Sequence, residues 1–485
     1  MNTALELSLP HRNLNSSVRL SYTYDNRYVI EPSFAYNGSE RFSSDHRFGF
    51  FPTIGAAWNI SNEKFWKGKK INDVITRLKL RGSYGLIGYD NISSARFFYM
   101  SSVNLNGGAP ATTGVNGVGT FSENGVSITN YANPDVTWEK SKQLDLGMEV
   151  SFFNSLNLTV DVYDNHRSDI YQNRIDIPTL GLEASVGANL GTATQKGMEI
   201  QMDYSKSIGQ DWSFVARGNF TFAQNRYGKY EEPDYPYPWM YKSGTLIGQQ
   251  FGYVADRLFV DDAEAANSPR QQFTYKNIPG NAAMGGDIKY KDINNDGQIS
   301  SFDQVPLGYP TVPEITYGFG GSIRYKQFDL DFFFQGNAMV SFFIDASSVS
   351  PFIQQYDGNA QSFIAQSNAQ VLTEFANNHW SLQNQNLYAE YPRLGTTVAD
   401  MVNNLQASSW WMRNGAFLRL KSLEAGYTLP RKWLKTFHLS NCRIYFSGMN
   451  LLTFSKFKMW DVEQGGSGFA YPIQKVYNVG INLTL

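Results

Sequence analysis

Apolar and polar residues alternate with a period of two along most of this chain, the signature of strands with one apolar face. Val18, Leu20, Tyr22 and Tyr24 interleave with Arg19, Ser21, Thr23 and Asp25. Leu78, Leu80, Gly82, Tyr84 and Leu86 alternate with Lys79, Arg81, Ser83 and Gly85, and Leu144, Leu146, Met148, Val150 and Phe152 with Asp145, Gly147, Glu149 and Ser151. The pattern recurs at 156–162, 198–204, 214–222, 315–325 and 328–334. It predicts about fourteen strands of roughly ten residues or more, near the length that crosses a bilayer at a strong tilt. Helical periodicity is nearly absent.

Short connections at Phe153-Asn154-Ser155, Ser207-Ile208-Gly209-Gln210 and Lys326-Gln327 alternate with long irregular ones at 103–134, 227–312 and 342–408. Short turns on one side and long loops on the other predict an all-β, antiparallel transmembrane β-barrel with long extracellular loops. In that register Leu80, Leu146 and Leu158 face lipid, while Arg81, Glu149, Glu199, Asp203 and Arg217 face a hydrated interior where each charge stays solvated. Phe50, Phe51, Trp58, Tyr99, Trp138, Trp212 and Tyr445 fall near strand ends and read as an interfacial girdle. A soluble sandwich or propeller is the alternative, but its strands are usually five or six residues long and its core largely aliphatic.

Composition narrows this further. Among 485 residues, aromatics make up 15% and charged residues 17%, against about 25% charged in ordinary soluble domains; disorder is excluded. A net charge of -2 leaves no basic field to hold a nucleic acid. No stretch is long and apolar enough for a membrane helix, and the mean hydropathy of -0.37 suits alternating strands. The start, MNTALELSLPHRN, has no basic segment followed by an apolar one, so no secretion signal is visible.

No H-E-x-x-H, G-x-S-x-G or P-loop pattern occurs, so the sequence does not read as an enzyme. His379 and the single cysteine, Cys442, read as a loop residue and a packing residue. Gly117-Val118-Gly119 sits in a Gly-rich loop with little claim to cradle phosphate. One motif is sharp. Asp292-Ile293-Asn294-Asn295-Asp296-Gly297-Gln298-Ile299-Ser300-Ser301-Phe302-Asp303 matches a Ca²⁺ loop, with oxygen ligands Asp292, Asn294, Asp296, the Gln298 carbonyl and Asp303, and Gly297 at the sharp turn. Hard cations need several converging oxygens, so a structural Ca²⁺ bracing the 227–312 loop is expected; the plainer alternative is an Asp/Asn/Gly turn. Within the same connection, Tyr235, Tyr237 and Trp239, with Tyr230, Pro236, Pro238 and Tyr241 around them, are candidate substrate contacts, because aromatic faces stack on sugars and pack on peptides. The alternative is a loop that folds on itself. Trp410 and Trp411 are open to the same two interpretations.

Five segments in order, 24–66 (YDNRYVIEPSFAYNGSERFSSDHRFGFFPTIGAAWNISNEKFW), GDIKYKDINNDGQIS (286–300), YGFGGSIRYKQFDLDFFFQG (317–336), FLRLKSLEAGYTLP (417–430) and NLLTFSKFKMWDVE (450–463), make the chain resemble the SusC/RagA family of TonB-linked outer-membrane transporters. The resemblance covers essentially all of residues 1–485 and implies the C-terminal portion of a β-barrel, about fourteen of an expected 22 strands, with signal peptide, N-terminal β domain and plug absent from this chain. It implies import of a large nutrient, a glycan or a peptide, across the outer membrane of a Gram-negative cell. A SusD-like lipoprotein would form the lid, TonB would act through the missing plug, and the barrel would contact outer-membrane lipid. Two alternatives stand beside it: a transport-inactive truncated remnant and a secreted β-rich glycan-binding module. A sheet of fourteen strands cut from 22 would leave open edges whose backbone groups lipid cannot satisfy. The last strand, with Tyr477, Val479, Ile481, Leu483 and Leu485 on one face, is expected to carry the barrel-assembly signal.

Overall fold

The computed structural model describes residues 9–484 apart from 94–95, 116–117, 176–180, 276, 352–354, 357–362, 365–370 and 435–438. Its main sheet has fourteen strands. They are β1 (Asn13–Arg19), β2 (Tyr22–Tyr24), β3 (Tyr28–Ser39), β4 (Phe48–Asn59), β5 (Ile75–Tyr89), β6 (Glu139–Phe152), β7 (Leu156–Asn173), β8 (Gly187–Ile208), β9 (Trp212–Tyr227), β10 (Ile315–Tyr325), β11 (Phe328–Ala338), β12 (Phe417–Thr428), β13 (Asn441–Ser455) and β14 (Val476–Thr484). From β3 onward each strand pairs with the next in sequence, and β1 and β2 both pair with β3. Turns of two or three residues close several hairpins. Phe153 and Asn154 adopt φ of 51° and 53°, and Lys326 adopts 53°; left-handed turn residues match the right-handed twist of the strands they join.

Chain contacts divide the molecule into two units, one of Met1–Met202, Ala223–Asp234 and Lys242–Leu246, the other of Asp203–Phe222, Tyr235–Tyr241 and Ile247–Leu485. In the first, Phe34, Tyr36, Phe50, Ile54, Leu80, Tyr84, Leu144 and Leu146 are exposed on the strands, as an apolar outer face requires. The charged residues of the opposite face do not stand apart in water as the alternation suggested. Arg81 on β5 donates to Asp161 on β7 at 2.7 Å and to Asp145 on β6 at 3.2 Å. Lys79 and Arg77 both donate to Glu149, at 3.0 and 2.6 Å. Side chains on adjacent strands lie within about 5 Å of one another, so opposite charges on one face meet.

The Arg81–Asp161 pair spans a whole strand. Gly147 on β6 lies between them in register, opposite Arg81 and opposite Asp161. A Cβ at Gly147 would sit 2.3 Å from Asp161 Oδ1 and 2.7 Å from Arg81 Cζ. The missing side chain is what lets the arginine reach across.

Phe51 and Trp138 depart from the girdle expected of them. They are buried with Phe42, Phe98 and Val136 in a small core, and Trp138 meets Phe51 edge-on at 5.3 Å. Phe50 and Trp58 remain exposed. The 103–134 connection is also not irregular: Ser102–Val115 and Val118–Asn130 pair as an antiparallel hairpin. Its Gly and Asn content masks a run of β-branched residues, Thr112, Thr113, Val115, Val118 and Thr120, which favour strands.

The second unit repeats the strand-spanning device. Arg443 on β13 pairs with Asp329 on β11 across Gly426 on β12, and also donates to Glu424 at 2.7 Å. A Cβ at Gly426 would lie 2.5 Å from Arg443 Nη2 and 2.6 Å from Asp329 Oδ2.

Where irregular loops were expected at 227–312 and 342–408, the described residues of 247–312 and 342–411 pack around a core. Tyr253, Leu258, Ile288, Tyr290, Val349, Phe375, Tyr391, Met401 and Trp411 share one buried core. Short strand pairs organise it: Gln250–Gly252 with Val305–Leu307, Ala255–Leu258 with Ile288–Tyr290, and Ser341–Phe343 with Met412–Asn414. At its centre Asp287 is 1% exposed, with Arg393 Nε at 2.6 Å and the Asn404 amide donating at 2.8 Å. Burial pushes the Asp287 carboxyl up, while Arg393 beside it and the donated hydrogen bonds pull it back.

Two tests follow from this arrangement. Leu80→Arg or Leu146→Arg should cost about 2–4 kcal/mol at a bilayer midplane and abolish the heat-modifiable assembled species on gels. Arg217→Glu, at a side chain 77% exposed, should leave that species unchanged; equal behaviour on both faces refutes the register. Arg393→Met strands a buried carboxylate and should destabilise the connection core by about 3–5 kcal/mol, seen as faster hydrogen exchange at 253–290 and 391–411. Adding Asp287→Asn should recover much of the loss. Unchanged exchange in the single variant would remove the pair from the argument.

Candidate functional site

The 292–303 loop is wound by its own side chains. Asp292 Oδ2 accepts from the Gly297 N–H at 2.8 Å and its Oδ1 from the Asp296 N–H at 3.3 Å. Asp296 Oδ1 accepts from the Gln298 N–H at 2.8 Å, and its Oδ2 from the Asn294 amide at 2.9 Å. Asn295 and Gly297 take the left-handed φ of 58° and 83° that the reversal demands. Asp292, Asn294 and Asp296 are thereby drawn together over one turn.

Asp303 sits differently. It is completely buried, and its Oδ1 accepts from the Ile293 N–H at 2.7 Å while Oδ2 accepts from the Ser300 N–H at 2.8 Å. It clamps the two ends of the loop and caps the short 3₁₀ turn Ser301–Asp303. Among the described residues no three or more His, Cys, Asp or Glu side chains converge on one point.

The aromatic cluster and this loop, read separately in the sequence, pack on each other. Tyr237 and Trp239 stack at 4.8 Å and 8°, and Phe302 meets Tyr237 edge-on at 5.9 Å. Trp239 Nε1–H donates to the Phe302 carbonyl at 2.8 Å, and the Asn294 amide donates to the Tyr237 hydroxyl at 3.2 Å. Tyr237 and Trp239 stay half-buried. Tyr235 serves the local fold: its N–H donates to the Tyr241 hydroxyl at 2.9 Å, and the two rings meet edge-on. Tyr230 packs against Tyr227 and under Lys242 instead.

Next to the loop, Lys289 and Arg257 both hold Glu264. The Arg257 hydrogen bond, with Lys289 helping, keeps the Glu264 carboxyl down at about 2. The Lys289 charge is thus engaged by Glu264 rather than by the acidic loop.

Other candidates resolve plainly. Trp411 is buried and donates to the Asn404 carbonyl at 2.8 Å, with Trp410 packed against the same core. Cys442 is buried, and His379 Nδ1 faces the Phe375 and Ala376 carbonyls. Gly117 and Leu485 lie outside the described residues. Sequence reasoning passed over Phe302 as a ring partner, although an apolar side chain inside so polar a motif was the available signal. Nothing local announced the Asp287–Arg393 pair.

Comparison with known proteins now adds to the geometry. The family model described as TonB dependent receptor-like, beta-barrel matches residues 10–451. The chain is 29% identical over 497 aligned residues to TonB-dependent receptor P3 of Formosa agariphila, covering 96% of this chain and 45% of that protein. It is 24% identical to TonB-dependent receptor SusC of Bacteroides thetaiotaomicron, covering 96% of this chain and 43% of SusC. The chain thus spans less than half the length of these curated relatives. In fold it is similar to the RagAB peptide importer in its open-open state, with a TM-score of 0.69 and 21% identity over 98% of this chain and 47% of that one. With the family model matched over most of its length, the chain belongs to the TonB-dependent receptor-like β-barrel family.

Proposed function

We propose that this chain supplies the wall and the long-connection face of an outer-membrane, TonB-dependent importer in a Gram-negative cell. The cargo is a large nutrient, a glycan or a peptide, as similarity to SusC and to the RagAB peptide importer suggests. A SusD-like lipoprotein closes over the connections, and TonB acts through a plug contributed by a longer protein. The observation that carries this is the folding of the described residues of 247–312 and 342–411 onto one buried core. Large cargo needs a firm rim, and a packed body holds contact residues in place at lower entropic cost than free loops. In that rim Trp239 offers a half-exposed ring fixed by its hydrogen bond to Phe302, with Tyr237 stacked behind it and Tyr235 shaping the turn.

The same connection supports a bound Ca²⁺, held by Asp292, Asn294, Asp296 and the Gln298 carbonyl. Their spacing and the turn at Gly297 support it. Asp303 braces the loop from behind through its backbone contacts, and joins the ion only by turning one oxygen.

In the intact transporter, Trp239→Ala should reduce uptake of a labelled cargo oligomer about three- to tenfold, the worth of one stacking contact, without changing membrane levels. Unaltered uptake refutes the contact, and an energised wild type that imports nothing points to a transport-inactive remnant. For the ion, chelation or Asp292→Ala/Asp296→Ala should speed protease cutting between Tyr230 and Pro310 and leave barrel heat stability nearly unaltered. Cutting indifferent to chelator, with no calcium found by elemental analysis, leaves only the self-bonded turn.

A further inference from the structure

A cleft in the first unit spans about 460 Å³ between residues 9–14, 38–48 and 97–99. That volume falls within the range of small-ligand sites. Its lining includes Arg12, Ser39, Glu40, Arg47, Phe97 and Tyr99. The polar groups are unevenly satisfied. Ser39 is 1% exposed, yet its hydroxyl oxygen is buried with no hydrogen-bond partner among the described residues, and Arg47 Nε is in the same condition. Buried polar atoms nearly always have partners, so two such orphans at one cavity call for an explanation.

The acidic residue at the cleft cannot supply one. Glu40 is already held by Arg96 and lies 3.3 Å from His11. Arg96 in turn donates to the carbonyls of Leu9 at 2.8 Å and Pro10 at 3.2 Å, which ties the chain on one side of the cleft to the acid on the other. With the Glu40 charge neutralised, the guanidinium groups of Arg12 and Arg47 remain without an ion pair among the described residues. Ser39 and Arg47 are fixed relative to each other, since the Ser39 N–H donates to the Arg47 carbonyl at 3.0 Å. Phe97 and Tyr99 meet edge-on at 6.1 Å and give the cleft an apolar wall.

We propose that this cleft binds the carboxylate of an acidic ligand, with the Arg47 and Arg12 guanidinium groups and the Ser39 hydroxyl donating to its oxygens. A planar guanidinium matches a carboxylate with two parallel hydrogen bonds. The aromatic wall takes the carbon skeleton next to that group. With Glu40 already paired to Arg96, the two guanidinium groups and the hydroxyl match the oxygens of one carboxylate group. A uronate sugar and an acidic peptide both carry this group. The site does not depend on the transport proposal, because binding to the purified protein is measured without uptake.

The test is titration calorimetry on the purified protein in detergent with three probes: tri-galacturonate, its methyl ester and tri-glutamate. At least one acid should bind, more weakly as salt rises, and the ester at least tenfold more weakly than its acid. Preference for tri-galacturonate identifies a sugar acid as the source, and preference for tri-glutamate identifies a peptide. Arg47→Gln should weaken binding tenfold or more, Arg47→Lys less, and Arg12→Gln severalfold, all with unchanged heat-modifiable mobility. If Arg47→Gln does not fold, the ester and the exposed Arg12→Gln decide. Ester binding equal to acid binding, no binding of either acid, or indifference to the arginine changes overturns the proposal.

Discussion

Inside hydrocarbon every backbone N–H and C=O must be bonded to another, because no water is present to take its place. Among the described residues no helix is long and apolar enough to cross a membrane, so strands meet that demand, and the rest of this molecule follows from it. Each paired strand turns one row of side chains to lipid and the other row away from it. Along Arg77–Arg81, Asp145–Glu149 and Asp161 charged residues occupy the second row, where they crowd, while Lys142 and Asp164 stand in the first row with Leu144. Arg77, Lys79, Arg81, Asp145, Glu149 and Asp161 share one face of three strands, and opposite charges so placed pair more readily than they stay separately hydrated.

Glycine decides how far such pairing reaches. At Gly147 and again at Gly426 the middle strand of three carries no side chain, and an arginine from one neighbour crosses it to an aspartate on the other. The crossing is direct at Gly147 and diagonal at Gly426, where the arginine comes from two residues along its strand. These crossings bind strands that do not share a backbone ladder, adding a constraint that hydrogen-bonded neighbours alone do not provide.

The long connections obey a different balance. Ordering a residue costs about 1–2 kcal/mol in backbone entropy, so a long segment stays ordered only if it buries enough apolar surface. Here the described residues of 247–312 and 342–411 do this jointly, with Trp411, Tyr391, Ile288 and Leu258 in one core. The Asp287–Arg393–Asn404 network then selects a single arrangement of that core, since a buried carboxylate is tolerated only where its partners are in place. The Tyr237–Trp239 stack owes its fixed position to the neighbouring ring of Phe302 and amide of Asn294.

How much of this was legible follows from range. The period-two pattern, the turns at Asn154 and Gly209, and the winding of 292–297 depend on residues a few positions apart, so the sequence by itself determined the strands, their faces and the hairpin order. Phe50 and Phe51 are adjacent, so alternation already sends them to opposite faces; that Phe51 meets Trp138 from a distant connection was the tertiary outcome. Arg393 and Asp287 lie 106 positions apart, and no local signal pairs them. The part taken by Asp303 was divided: its spacing marked it as a loop oxygen, while the backbone N–H groups around it in the folded chain decided that it clamps the loop. Sequence determined what each strand offers to its two sides; the tertiary structure decided which distant side chains met there, because that depends on register and on packing that no short stretch contains.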